Sequence, residues 1–175
     1  VACTAIVACY PSASFRDAAG PALCDFTTNY ALDPGFEGEC VEPDCERQGE
    51  EGNVVERSRE ERRSGTRSLR LARRGGPEAP GESILADETI AKDKTFCAHV
   101  WVKSGAPTRV RLEIQTEDGR PLHGETFEGT FADWTSVRIT RTLGQMIRPR
   151  LAIIAPVAGD AEVFLDDLVI TEIGR

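Results

Sequence analysis

The chain is short of several residue types, and each shortage excludes something. Basic charge is outweighed: 21 Lys and Arg stand against 29 Asp and Glu, a net charge of −8. With a pI of about 4.9, the protein has no global positive field with which to hold nucleic acid. No apolar run reaches the roughly 18 residues that a membrane-spanning helix needs. Only two histidines, His99 and His123, occur, and they are far apart. No G-x-S-x-G, H-E-x-x-H or phosphate-loop motif is present, and nothing singles out a pair of carboxylates for glycoside cleavage. The chain is therefore not expected to be an enzyme. Eleven aromatic residues and one methionine complete the shortages. Arginine supplies 18 of the 21 basic residues, a bias attributable to base composition.

Cysteine is not short. Cys3, Cys9, Cys24, Cys40, Cys45 and Cys97 make an even set, five of them within the first 45 residues, where no periodic apolar pattern is visible. A segment without its own core gains most from disulfides. A thiolate metal site needs close pairs such as C-x2-C, usually with histidine, and none exists here. Six cysteines allow 15 pairings, and spacing does not choose among them. Cys40 and Cys45 suit a small loop, and Cys97 needs a partner from the N-terminal group. Disulfides imply an oxidising location: secreted, at the cell surface, or periplasmic. The sequence starts at Val1, as a processed or trimmed form would. "IVAC", ending at Cys9, bears a faint similarity to a lipoprotein processing site; the plainer reading is an apolar arm with paired cysteines.

Residues 1–28 read as an N-terminal arm rich in Ala, Ser and Pro. From residue 29 to 175 the pattern is short period-two runs between turn signals. Strands are expected at 53–58, 66–73, 83–91, 95–104, 108–116, 135–143, 148–156 and 161–170. "TRVRLEIQT" (108–116) alternates strictly, with Val110, Leu112 and Ile114 opposite Arg109, Arg111, Glu113 and Gln115. "REERRSG" is expected to be a charged turn, and "GRPLHGE", with His123, a loop. His99 is expected to be a core or edge residue. About eight strands with Gly and Pro turns and no long helix predict an all-β fold, a sandwich or closed barrel. The last run, "AEVFLDDLVI", holds two adjacent aspartates in its apolar middle. Strand alternation puts Asp167 with Val163, Leu165 and Val169, and Asp166 with Phe164, Leu168 and Ile170. At least one carboxylate should thus be partly buried, at a cost of several kcal/mol unless partnered.

Five stretches carry a resemblance: "NYALDPGFEG" (29–38), "SGTRSLRL" (64–71), "FCAHVWVKSG" (96–105), "DWTSVRIT" (133–140) and "VFLDDLVI" (163–170). In this order and spacing they resemble the jelly-roll carbohydrate-binding modules of the galactose-binding-like superfamily. The resemblance covers most of the chain from residue 29 and implies a β-sandwich jelly roll carrying a disulfide-tied N-terminal extension. It places Trp101 and Trp134 at positions that usually pack in the core. It also implies a structural calcium where the first and last strands meet. Glu37 with Asp166 or Asp167 would supply carboxylates, and carbonyls near Gly35 and from Gly65 to Arg67 would complete an oxygen shell. The competing reading is an ion pair, with Arg67 or Arg70 on Asp166.

The resemblance implies a glycan or similar surface polymer as ligand, yet an aromatic platform for stacking sugar rings is not evident. The outward face of the middle strands is polar instead. Arg109, Arg111, Glu113, Arg138 and Arg150, with Gln115 and Arg148, are the candidate ligand residues, since arginine forks grip carboxylates. An anionic glycan or an acidic protein surface would suit them; an ordinary solvated face of mixed charge is the plainer alternative. The function expected is non-catalytic binding. The alternative is a structural subunit of a surface assembly, or a homo-oligomer, contacting its neighbour through the arm.

Overall fold

A computed structural model of the 175-residue chain describes residues 24, 28–38, 46–48, 53–74, 79–156 and 161–173. Ten strands follow in chain order: β1 (Glu46–Gln48), β2 (Val54–Ser58), β3 (Ser68–Ala72), β4 (Gly81–Leu85), β5 (Thr95–Lys103), β6 (Thr108–Gln115), β7 (Pro121–Gly129), β8 (Thr135–Thr142), β9 (Arg150–Ile154) and β10 (Glu162–Ile173). They form two antiparallel sheets: six strands in the order β1-β2-β3-β10-β5-β8, and four in the order β4-β9-β6-β7. The described residues contain no helix, and hence none long and apolar enough to cross a membrane. The β-sandwich expected from the sequence is the architecture found.

Alternation fills the space between the sheets. Val110, Leu112 and Ile114 of β6, and Leu151 and Ile153 of β9, are buried from one side. Phe96, Ala98, Val100 and Val102 of β5 meet them from the other, with Val137 and Ile139 of β8 and Leu69 and Leu71 of β3. Burying a branched or aromatic side chain is worth about 1.5–3 kcal/mol, so these rows carry most of the fold's stability. The two tryptophans are not among them. Trp101 and Trp134 are half-buried, and Trp101 shares the outer face of β5 with His99.

Residues 119–125, with His123, were expected to be a loop. From Pro121 on they belong to β7, an edge strand, the place in a sheet where the missing N–H of proline costs no ladder bond. His123 therefore lies in a strand, 3.2 Å from Glu125.

The ends of the module meet at β10. The Asn29 side-chain amide donates to the Leu168 carbonyl at 2.9 Å, and its oxygen accepts from the N–H groups of Ala31 and Ile170 at 3.0 and 2.9 Å. The Tyr30 N–H donates to Ile170 at 2.7 Å, and the Leu168 N–H to Pro34 at 2.7 Å. A second tie is the disulfide Cys24–Cys97, which spans 73 residues. It packs with Val169 and Ile173 on the outer face of the six-stranded sheet. Cys97 thus finds its partner in the N-terminal group, as its isolation demanded. Cys3, Cys9, Cys40 and Cys45, and nearly all of the arm, lie outside the described residues.

Non-reducing peptide mapping should recover the Cys24–Cys97 pair. Cys97→Ser together with Cys24→Ser should cost about 4 kcal/mol in urea unfolding, the chain-entropy value for a loop of this length. Recovery of Cys97 with another partner would contradict the structure.

Candidate functional site

Two regions gather the polar side chains singled out by the sequence. The first is at β10. Its pairing with β5 slips between Asp166 and Val169, and Asp167 takes φ 48°. This is a β-bulge, which adds one residue and shifts the alternation. Val163 and Leu165 point into the core before it, and Leu168 and Ile170 after it. Without the bulge Asp167 would enter that apolar core. With it, the two aspartates turn to the same loop, residues 59–67, and do not point to opposite faces as simple alternation predicts.

That loop supplies what the acids need. The N–H groups of Arg63 and Ser64 donate to Asp166 Oδ2 at 2.7 and 3.0 Å, and the Asp167 N–H to Oδ1 at 2.8 Å. The Arg63 guanidinium pairs with Asp167, whose other oxygen accepts from the Ser64 hydroxyl at 2.5 Å. The same guanidinium lies 3.9 Å from the centroid of the Trp101 ring, a cation–π contact. Burial, and then repulsion from Asp167, push the Asp166 carboxyl up to about 6, against the backbone N–H groups. Further along the loop, Glu37 Oε1 accepts from the N–H groups of Thr66 and Arg67 at 2.6 and 3.1 Å, and Oε2 from the Thr66 hydroxyl at 2.5 Å. Burial raises its pKa, but these bonds and the Arg67 charge outweigh it, and the net shift is downward. Gly65 makes the approach tolerable: its φ is 59°, and an added Cβ would fall 1.9 Å from Glu37 Oε1.

Of the residues expected to hold calcium, Glu37, Asp166 and Asp167 all meet the one loop that carries Gly65 and Arg67, but the groups facing their carboxylates are N–H, O–H and guanidinium donors. Calcium takes about six to eight oxygen ligands, with carbonyls turned toward the ion. This donor set does not fit it. Among the described residues no group of three or more His, Cys, Asp or Glu is placed to hold a metal. Gly35 is buried in the turn before Phe36. Nor do the arginines expected on Asp166 reach it. Arg70 pairs with Glu56 and Glu162, and Arg67 donates to the Gly38 carbonyl at 3.3 Å. Arg63 was not singled out, because its neighbourhood reads as a solvated charged turn.

Beside the latch, His99 is fully enclosed. Burial, and then the charges of Arg63 and Arg138, push its pKa down to about 4 against the pull of Asp167. It is neutral at neutral pH.

The second region is the outer face of the four-stranded sheet. Strand pairing aligns residues into rows across it. One row runs Ser83, Ala152, Glu113, Gly124; a second Gly81, Ile154, Arg111, Thr126; a third Leu85, Arg150, Gln115, Pro121. The central row is mostly small and makes a floor between two taller ones. Glu113 stands in it, clamped by Arg111 Nη2 at 2.8 Å and Gln115 Nε2 at 2.8 Å. The Gln115 amide, opposed by burial and joined by Arg111, holds its carboxyl below the usual range. Arg111 lies over Gly124, where an added Cβ would meet Nη2 at 2.7 Å. Arg109, at the end of β6, pairs with Glu128 at 2.9 Å. None of the three rows contains an aromatic ring. Arg138 is not on this face: it pairs in register with His99 in the other sheet. Four of the five expected ligand residues are therefore brought together, and Arg138 is excluded by its strand.

Comparison with solved structures decides what this two-sheet arrangement is. The xylan-binding domain CBM22-1 of Paenibacillus barcinonensis Xyn10C superposes with a TM-score of 0.56 at 18% identity, over 81% of this chain and 92% of that one. The fold is that of the jelly-roll carbohydrate-binding modules. TmCBM61, solved with β-1,4-galactotriose, gives 0.55 at 13% identity, over 84% of this chain and all (100%) of that one. The CBM22-1-GH10 modules of Clostridium thermocellum xylanase 10B, complexed with xylohexaose, give 0.55 at 16%, over 84% of this chain and 28% of that one. No protein-family model matches the chain, and no curated protein does.

Asp166→Ala leaves the Arg63 and Ser64 N–H groups without acceptors and should cost about 3 kcal/mol in urea unfolding. Gly65→Ala should also destabilise, by about 1–3 kcal/mol, because its φ and its distance to Glu37 both resist a Cβ. Unchanged midpoints for both variants would contradict the latch. The His99 imidazole should titrate near pH 4 by NMR, where an exposed ring would titrate near 6.5. The unfolded chain takes this proton first, so His99 removes stability as pH falls from 6.5 to 4.

Proposed function

We propose that the chain is a non-catalytic module that binds a glycan on the outer face of its four-stranded sheet, presented outside the cell or at its surface. The observation that carries this reading is the set of fixed polar side chains on that face. Ser83 and Ala152 keep the central row low on the β4–β9 side of Glu113, Arg111 crosses to lie over Gly124 on the other side, and Gln115 and Arg150 stand in the next row with hydrogen-bond donors. A sugar chain needs such a shape: room for the ring, and fixed polar groups at its edges. Glu113 fixes two of those groups by holding Arg111 and Gln115. The fold supports the reading, because modules of the same architecture have been solved with galactotriose and xylohexaose. The Cys24–Cys97 bridge supports an oxidising location.

The acid latch on the other sheet plays no part in binding here. Its role is to fix the loop between β2 and β3 and the last strand.

Affinity electrophoresis against a panel of plant and microbial polysaccharides tests the proposal. The native protein should be retarded by at least one polymer. Glu113→Ala should lose that retardation while its melting temperature stays within a few degrees, since an outward pair on a sheet contributes about 1 kcal/mol or less. Absence of retardation across the panel, or full retention by the variant, would refute the face as the site.

A further inference from the structure

The four arginines on and beside this face do not have equal surroundings. Arg109 is paired with Glu128 at 2.9 Å, and Arg111 with Glu113 at 2.8 Å. Arg148, just before β9, donates from Nε to the Ala86 carbonyl at 2.7 Å and has Glu117 at 3.8 Å. Arg150 is different. Among the described residues no carboxylate pairs with it; its Nε is enclosed, out of a ligand's reach, and the half-buried side chain has the outer edge of its guanidinium to offer. The two terminal nitrogens of a guanidinium are shaped to receive two carboxylate oxygens at once. Its neighbours across the sheet are Gln115 and Leu85, in the row bordering the small-residue floor. Gln115 is already committed to Glu113 at 2.8 Å, and Leu85 offers no polar side-chain atom.

We infer that Arg150 is the seat of a ligand carboxylate, and that the glycan bound on this face is acidic, built from uronic acid units. This rests on the glycan reading of the face and specifies the ligand's chemical class. A uronic ring laid over Ala152 and Ser83 presents its carboxylate at the ring's edge, toward the bordering row that holds Arg150. The face has no aromatic ring in its three rows to grip a neutral sugar by stacking, so charge supplies the affinity that an aromatic platform would otherwise provide. In a chain of net charge −8, an unneutralised arginine on an otherwise paired face is a selective attractor for a polyanion.

The test is affinity electrophoresis of the full chain and of Arg150→Gln in polygalacturonate, in neutral galactan and in poly-L-glutamate, the last giving acid without sugar. Polygalacturonate should retard the native protein more than galactan or polyglutamate. Raising the salt from low to high ionic strength should weaken the effect. Arg150→Gln should weaken it about tenfold, the loss expected for one charge-assisted pair, with an unchanged melting temperature. Retardation by galactan alone, or equal retardation of variant and native protein in polygalacturonate, would overturn the acidic assignment and leave the glycan face standing. Equal retardation in polyglutamate would show that acid without sugar suffices, and would overturn it too. No retardation in any of the three would overturn the acidic assignment, and the wider polysaccharide panel then decides the glycan reading.

Discussion

Everything in this module hangs on how two adjacent carboxylates survive inside a sheet. Asp166 is fully enclosed and Asp167 nearly so, on the strand that pairs with both β3 and β5. Ionised carboxylates in such a place cost several kcal/mol each unless donors surround them. The bulge turns both to one side, and the loop 59–67 closes over them with two backbone N–H groups, a hydroxyl and a guanidinium. Hydrogen bonds to charged groups are worth about 1.5–3 kcal/mol apiece, enough together to offset the desolvation. The same loop then reaches Glu37, and the segment leading to Glu37 runs along β10 through Asn29, Tyr30 and Pro34. The early and late parts of the chain are tied by one continuous set of bonds.

This arrangement divides the two sheets by task. The outer face of the six-stranded sheet is taken up by structure: the Cys24–Cys97 bridge covers one part, and Arg63 covers Trp101 in another. A tryptophan that might have stacked on a sugar is spent holding a guanidinium. The four-stranded sheet carries Arg111, Glu113, Gln115 and Arg150 on its outer face. On the proposed reading, recognition and stability draw on different residues, and a substitution such as Glu113→Ala separates them.

Much of the fold was legible in the sequence because two-residue alternation is a strong signal. β6 is the clearest case: its inward Val110, Leu112 and Ile114 and outward Arg109, Arg111 and Glu113 lie as the pattern requires. Alternation failed where the backbone departs from it. The bulge at Asp167 leaves no mark in a run of apolar residues, so the two acids were assigned to opposite faces. "GRPLHGE" was read as a loop, although an edge strand accepts its proline at the start. Arg138 alternates like its neighbours but belongs to the other sheet, and sheet membership is a long-range property. Arg63 was lost among the charges of "REERRSG". A run of like residues does not reveal which one meets a buried acid.

The central claim is that an arginine and the loop's own donors close the acid pair, with no divalent ion required. Thermal unfolding with excess chelator and with millimolar calcium is the most direct measurement of it. The account predicts the same melting temperature in both. A midpoint several degrees higher in calcium, saturating with its concentration as binding to the folded state demands, would contradict it.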